Sequence, residues 1–214
     1  MIITYLGGEF VKVQFGDTTI ALNPISKESN LKTSKFGASI VLSSINHPDT
    51  NGVDQVTFGE KKPFVINGPG EYEVGGVFVK GFKSLSNFDY GGQTSVRINT
   101  IFTVTLEGMN ICYLGAINQI ELPIEADEAI DDVDILFVPI GGDGVLDAVK
   151  AYKLAIEIGP KIIIPIHYGD IGNPNALKIF LKEAGENPSP MSKLTLKKKD
   201  LDGKEAEVVV LEKE

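Results

Sequence analysis

The 214 residues are 43% hydrophobic and 23% charged, the composition of a soluble globular protein with enough chain for one domain and a sizeable core. A net charge of −9 excludes nucleic acid and anionic membrane surfaces as partners, since both need a basic face. Two histidines, one cysteine and no tryptophan exclude a three-imidazole metal centre and an internal disulfide, and leave no aromatic platform for stacked bases.

The first third reads as short strands. IITYLG (2–7), FVKVQFG (10–16) and TTIALNP (18–24) alternate or run apolar, and Gly16-Asp17 sits at the tip of a tight hairpin turn. The N-terminal MIITYLGGEF lacks the basic and long apolar segments of a secretory signal, so the cytoplasm is the expected compartment. A polar loop over 26–35 leads to the β-rich ASIVLSS (38–44). After the loop INHPDTNG come PFVIN (63–67) and EYEVGGVFVKGF (71–82), strands around the turn NGPGE. This glycine-rich stretch has no phosphate-cradle pattern, so its glycines are expected to serve turns and close strand packing.

SNFDYGGQTSVR (86–97) reads as an exposed loop or hairpin tip. NTIFTVTL (99–106) and MNICYLGAI (109–117) flank the two-residue turn Glu107-Gly108, and Cys112 falls in the apolar core. From Pro123 the pattern changes. IEADEAIDDV is a short acidic helix and DILFVPIGG a buried strand. A helix follows with Val145, Ala148, Val149, Tyr152, Ala155 and Ile156 on its apolar face, ended by Gly159-Pro160. KIIIPIHYGD is a second buried strand and NPNALKIFLKEAG a helix with Asn173 or Asn175 near its start. The tail KLTLKKKDLDGKEAEVVVLEKE reads as a closing hairpin turning on LDGK, with LKKKD on its solvated face. The longest apolar runs, IFTVTL and KIIIPI, are too short to span a membrane. Continuous strands in the second half need cover on both faces, so the expected fold is a single α/β (α+β) domain over 1–214, a four-layer αββα sandwich.

Three residues of metal-ligand type lie just past the carboxyl ends of expected strands: His47 and Asp49 after SIVLSSIN, and His167 after KIIIPI. His-x-Asp on a tight loop lets both side chains turn to one point, where His167 from another strand could join them. Each also has an ordinary reading as a loop residue bonded to backbone, and Asp49 as a turn or cap residue. Asn46, Asn118, Asp143 and Asp147 lie on loops that could face the same edge, with turn and cap roles as the ordinary reading.

The serial order of ITYLGGEFVKVQFGDTTIALNP, IVLSSINHPDTNG, GPGEYEVGGVFVKGF, ICYLGAINQ, VDILFVPIGG and IIIPIHYGD resembles the metallo-β-lactamase superfamily. Within it, the chain is similar to small metal-dependent hydrolases of the L-ascorbate-6-phosphate lactonase type. The resemblance spans nearly the whole chain and implies the αββα sandwich, with a metal site at one edge of the paired sheets. Where that family has a His-x-His-x-Asp-His loop, this chain reads Ile45, His47, Asp49 and Thr50. The early Leu-Gly-His becomes Leu6-Gly7-Gly8, Asp-Pro becomes Asn23-Pro24, and Ala116 stands at the bridging aspartate.

Of the ligand set implied by the resemblance, only His47, Asp49 and His167 survive, His47 belonging with one metal and the other two with the second. Two readings follow. In one, the fold persists with an eroded dinuclear site, kept for binding a small molecule or a protein. In the other, a metal-dependent hydrolase acting on lactones or phosphoesters uses one divalent ion (Zn, Mn or Fe) on His47, Asp49 and His167, with Asp49 as the catalytic proton acceptor. A small-molecule ligand and self-association into a homo-oligomer are compatible with both. No serine or cysteine stands beside a histidine base, so nucleophilic catalysis without metal has no visible machinery.

Overall fold

The apolar and alternating runs form strands that assemble into two sheets. The computed structural model describes residues 1–60, 62–88 and 96–214. The early strands are β1 (Ile2–Tyr5), β2 (Val11–Phe15), β3 (Thr18–Leu22), β4 (Ile40–Leu42) and β5 (Phe64–Ile66). A meander follows of β6 (Gly70–Val74), β7 (Val77–Ser86), β8 (Arg97–Leu106) and β9 (Met109–Tyr113). The rest alternates: α1 (Ile124–Ala129), β10 (Ile135–Pro139), α2 (Ala148–Ile158), β11 (Ile162–Ile166), α3 (Ala176–Ala184), β12 (Leu194–Thr195) and β13 (Glu207–Val208). One sheet is ordered β12-β1-β2-β3-β4-β5, the other β13-β11-β10-β9-β8-β7-β6.

Both expected hairpins form. Phe15 pairs with Thr18 across Gly16-Asp17, and Leu106 pairs with Met109 across Glu107-Gly108. Glu107 and Gly108 sit at φ 52° and 71°, the mirror-image turn whose twist suits a hairpin. β9, β10, β11 and β13 run parallel, and all five residues of β10 and of β11 are buried, as strands covered on both faces must be.

The sheets pack face to face through Ile3, Tyr5, Val13, Ile20 and Leu42 against Phe102, Ile111, Tyr113, Phe137 and Ile164. The opposite face of the second sheet, carrying Ile101, Cys112, Leu136 and Ile163, is closed by Ala126 of α1, Ala151 and Leu154 of α2, and Phe180 of α3. On the first sheet the outer layer is thinner. Phe10, Ala21 and Val41 are covered by Ile25, Leu31, Phe36 and the 3₁₀ turn Val53–Val56.

Three expectations need correction. The buried face of α2 is Ala148, Ala151, Leu154 and Ala155, while Val149 and Ile156 are 50% and 45% exposed. Asp147 starts the helix by accepting from the Val149 and Lys150 amides, and the small alanines are the side chains that fit closely under it. The tail is not a hairpin, because β12 pairs antiparallel with β1 while β13 pairs parallel with β11 in the other sheet. Nor is LKKKD a solvated strand face. Lys198 opens a 3₁₀ turn and reaches the fully buried Asp134 at 2.6 Å, opposite Lys161, also at 2.6 Å. Of the expected exposed tip at 86–97, residues 89–95 lie outside the described residues, and Phe88 beside them is buried.

Candidate functional site

Strands of both sheets end at one edge, and the residues just beyond those ends build a site. β1 leads into Leu6 to Phe10, β3 into Asn23, β4 into Ser43 to Thr50, β9 into Leu114 to Asn118, and β11 into His167. Turning out of a strand this sharply needs left-handed backbone: Asn23 has φ 46° and His167 φ 59°. For residues other than glycine that conformation persists only where the surroundings over-determine it. At Gly115, φ is 61° and a Cβ would lie 2.5 Å from Ser44 Oγ and 2.6 Å from Asn99 Oδ1, so only glycine fits.

What over-determines the backbone is a buried polar network centred on Glu9. Its Oε1 lies 2.8 Å from His167 Nδ1, with both side chains 1% exposed. Its Oε2 accepts from Asn23 Nδ2 at 2.7 Å. The same amide nitrogen donates to Ser44 Oγ at 2.8 Å, and Asn23 Oδ1 accepts from the Ser44 amide at 2.7 Å. The main chain closes the ring: Tyr113 donates its hydroxyl to the Glu9 carbonyl at 2.7 Å, Tyr5 donates to the Gly8 carbonyl at 2.9 Å, and the His167 amide donates to that carbonyl at 2.6 Å. Burial pushes the hydroxyls of Tyr5 and Tyr113 well above the usual tyrosine range, so both stay protonated donors. Beside this ring, Asn99 donates to Ser84 Oγ at 2.8 Å and the Leu114 carbonyl at 2.9 Å, and accepts from the Ala116 amide at 2.9 Å.

The three ligand-type residues are arranged differently from one another. His167 faces Glu9 through Nδ1, and among the described residues its buried Nε2 meets no hydrogen-bond partner. In a neutral ring, a carboxyl group accepting from Nδ1 leaves Nε2 as the bare lone pair, the tautomer a metal-binding or basic imidazole needs. His47 is set the opposite way. The Asp49 amide donates to its Nδ1 at 3.1 Å, which puts the proton of a neutral ring on Nε2. Asp49 stays on the Nδ1 side of that ring, Oδ2 at 3.6 Å, and its Oδ1 accepts from the Ser29 hydroxyl. Phe88 contacts both imidazoles, its ring centroid 4.5 Å from that of His47 and 5.0 Å from that of His167. Phe88 packs with Ile45, Ala116 and Val145 in a small apolar cluster.

The structure thus brings both histidines to one aromatic ring, with Asp49 beside Nδ1 of His47. Among the described residues no group of three or more histidine, cysteine, aspartate or glutamate side chains could hold a metal ion. Asp147 is the α2 cap, Asp143 takes a left-handed turn at φ 57°, and Asn46 accepts from Asn51. Cys112 is inert core, its thiol pushed up to about 12 by burial.

Glu9, Ser44, Asn99 and Phe88 escape the sequence reading. A signal exists for Glu9, a lone carboxylate between Gly-Gly and an apolar strand in YLGGEFVKV. Phe88 has no comparable signal, lying in a polar, glycine-rich stretch of the sequence.

A paired-sheet sandwich with its site at the strand ends, helices outside, defines a class. The family model of the β-lactamase superfamily domain matches residues 2–167, and the chain belongs to the metallo-β-lactamase superfamily. A UPF0173 metal-dependent hydrolase of Lysinibacillus sphaericus is 26% identical over 198 residues, spanning 78% of this chain and 85% of the relative. A Thermotoga maritima protein, assigned as a Zn-dependent hydrolase of the metallo-β-lactamase superfamily, superposes with TM-score 0.74 at 27% identity, over 98% of this chain and 97% of that one. Igni18, a metallo hydrolase of Ignicoccus hospitalis, shares the fold at TM-score 0.62 and 17% identity, over 99% and 94% of the two chains.

Proposed function

We propose that this chain is a metallo-β-lactamase-superfamily protein with an eroded dinuclear metal site, retained in the cytoplasm as a binding module rather than as a two-metal hydrolase. One observation carries the reading: Phe88 packs against both His47 and His167, in an apolar cluster with Ile45, Ala116 and Val145. Ile45 and Ala116 occupy positions where the family resemblance implies a histidine and the bridging aspartate. Thr50, at another ligand position, donates its hydroxyl to the carbonyls of Ile45 and His47. An ion there would trade hydration for apolar walls, a transfer that is strongly unfavourable without compensating ligands.

The relatives are metal-dependent hydrolases by name, and the bare Nε2 of His167 favours a second reading, a single-ion hydrolase of lactones or phosphoesters using His47, Asp49 and His167. Two measurements separate the readings. The first is turnover of lactone and phosphoester substrates with Zn, Mn or Fe added; the second is the thermal midpoint with and without chelator. The eroded-site reading expects no metal-stimulated turnover and an unchanged midpoint. Metal-stimulated turnover abolished by His167→Ala, or a midpoint lowered by chelator, establishes the second reading, since a bound ion stabilises the native state by linkage.

A further inference from the structure

A metal at the strand ends would tie the two sheets together, and this chain has another tie there. We infer that Glu9 supplies it: its side chain is the cross-link that joins the carboxyl ends of the two sheets in place of an ion. The inference rests on the eroded-site reading and says what took over the ion's mechanical role. Glu9 follows β1 in the first sheet and reaches His167 at the end of β11 in the second, 2.8 Å away. Its other oxygen holds Asn23 at the end of β3, and through Asn23 the Ser44 amide after β4. Its carbonyl takes the hydroxyl of Tyr113, on β9 of the second sheet. One residue therefore joins three strand ends of its own sheet to two strands of the other.

The cross-link accounts for a carboxyl group and an imidazole, each 1% exposed, facing each other in an apolar sandwich. Such a pair persists only with its partners complete, because removing one leaves the other desolvated and unpaired. The left-handed backbone of Asn23 and His167 fits the same account: each adopts an uncommon conformation that aims its side chain at Glu9. His167 enters as the Nδ1 donor, so the bare Nε2 is a by-product of the cross-link, not its purpose.

Three variants and one spectrum test this. Glu9→Leu removes the acceptor and should lower the thermal midpoint on the order of 10 °C, the loss expected when one member of a buried pair goes. His167→Asn keeps a donor on the atom equivalent to Nδ1, tolerates left-handed backbone and deletes Nε2, so it should lose less than half as much. His167→Ala keeps neither feature and should fall as far as Glu9→Leu. Long-range ¹H–¹⁵N correlation on the unaltered protein should find a proton on His167 Nδ1, a readout that stands even if Glu9→Leu does not fold. The inference is overturned if Nδ1 is bare, if Glu9→Leu shifts the midpoint by less than about 2 °C, or if His167→Asn falls as far as His167→Ala. Failure of the eroded-site reading is a separate result, a chelator-induced drop in the unaltered protein, because chelator does not act on Glu9.

Discussion

Replacing Phe88 by alanine probes the apolar closure of the site most directly. Phe88 is 8% exposed and touches both imidazoles, so its removal resembles a core truncation. Phenylalanine-to-alanine changes in cores cost about 3–5 kcal/mol, and a loop position with room to relax belongs at the low end, about 3 kcal/mol. For a chain of this size that is a midpoint lowered by roughly 6–12 °C. The same change uncovers His167, which is fully buried with a bare Nε2. Diethyl pyrocarbonate acylates accessible unprotonated imidazole, and with only two histidines in the chain, peptide mass spectrometry assigns every adduct. The unaltered protein should leave His167 unmodified while folded; Phe88→Ala should modify it at a rate approaching that of a free imidazole. Equal modification of His167 in both proteins, at an unchanged midpoint, refutes the idea that Phe88 closes the site.

Four further outcomes follow from the same structure. Gly115→Ala, forcing a Cβ to within 2.5 Å of Ser44 Oγ at φ 61°, should lower the unfolding free energy read by urea titration by more than the roughly 1 kcal/mol of an ordinary left-handed glycine replacement. Glu107→Asn, at φ 52° in the β8–β9 turn, should raise the thermal midpoint by about 1–3 °C, since asparagine tolerates that backbone and leaves the hairpin register alone. Burial alone would raise the Asp134 carboxyl, but the ammonium groups of Lys161 and Lys198 outweigh it and hold the group below the usual range. With the folded value depressed, its stabilisation is present above the unfolded value near pH ~4 and is lost as pH falls through the folded one. An acid titration of Asp134→Asn should therefore start from a lower midpoint at neutrality and fall less steeply below about pH 4. Cys112, fully buried with its thiol pushed up to about 12, should react with a thiol reagent only at the rate of global unfolding.

The sandwich was legible because its signals are local and repeated. The Gly16-Asp17 and Glu107-Gly108 turns fix two hairpins, and the unbroken apolar runs at β10 and β11 demand cover on both faces. The destination of the tail was not legible. β12 and β13 are two residues each, too short for a pattern, and their placement in different sheets is decided by long-range contacts such as Lys198 with Asp134. At α2 the helix was readable but its face was not, because alanines under the helix mark burial less loudly than Val149 and Ile156 on its outside. The site divides in the same way. His47, Asp49 and His167 could be found from residue type and place in the chain, but their relative orientation depends on Ser29, Glu9 and Phe88, which come from three other segments.

The central claim concerns metal, and elemental analysis tests it most directly. The protein should be purified without a chelating tag and measured beside a His47→Ala, His167→Ala double variant. The account predicts well under one equivalent of any divalent transition metal in both proteins. About one equivalent in the unaltered protein, lost in the double variant, contradicts it and establishes a working ion site on the two histidines.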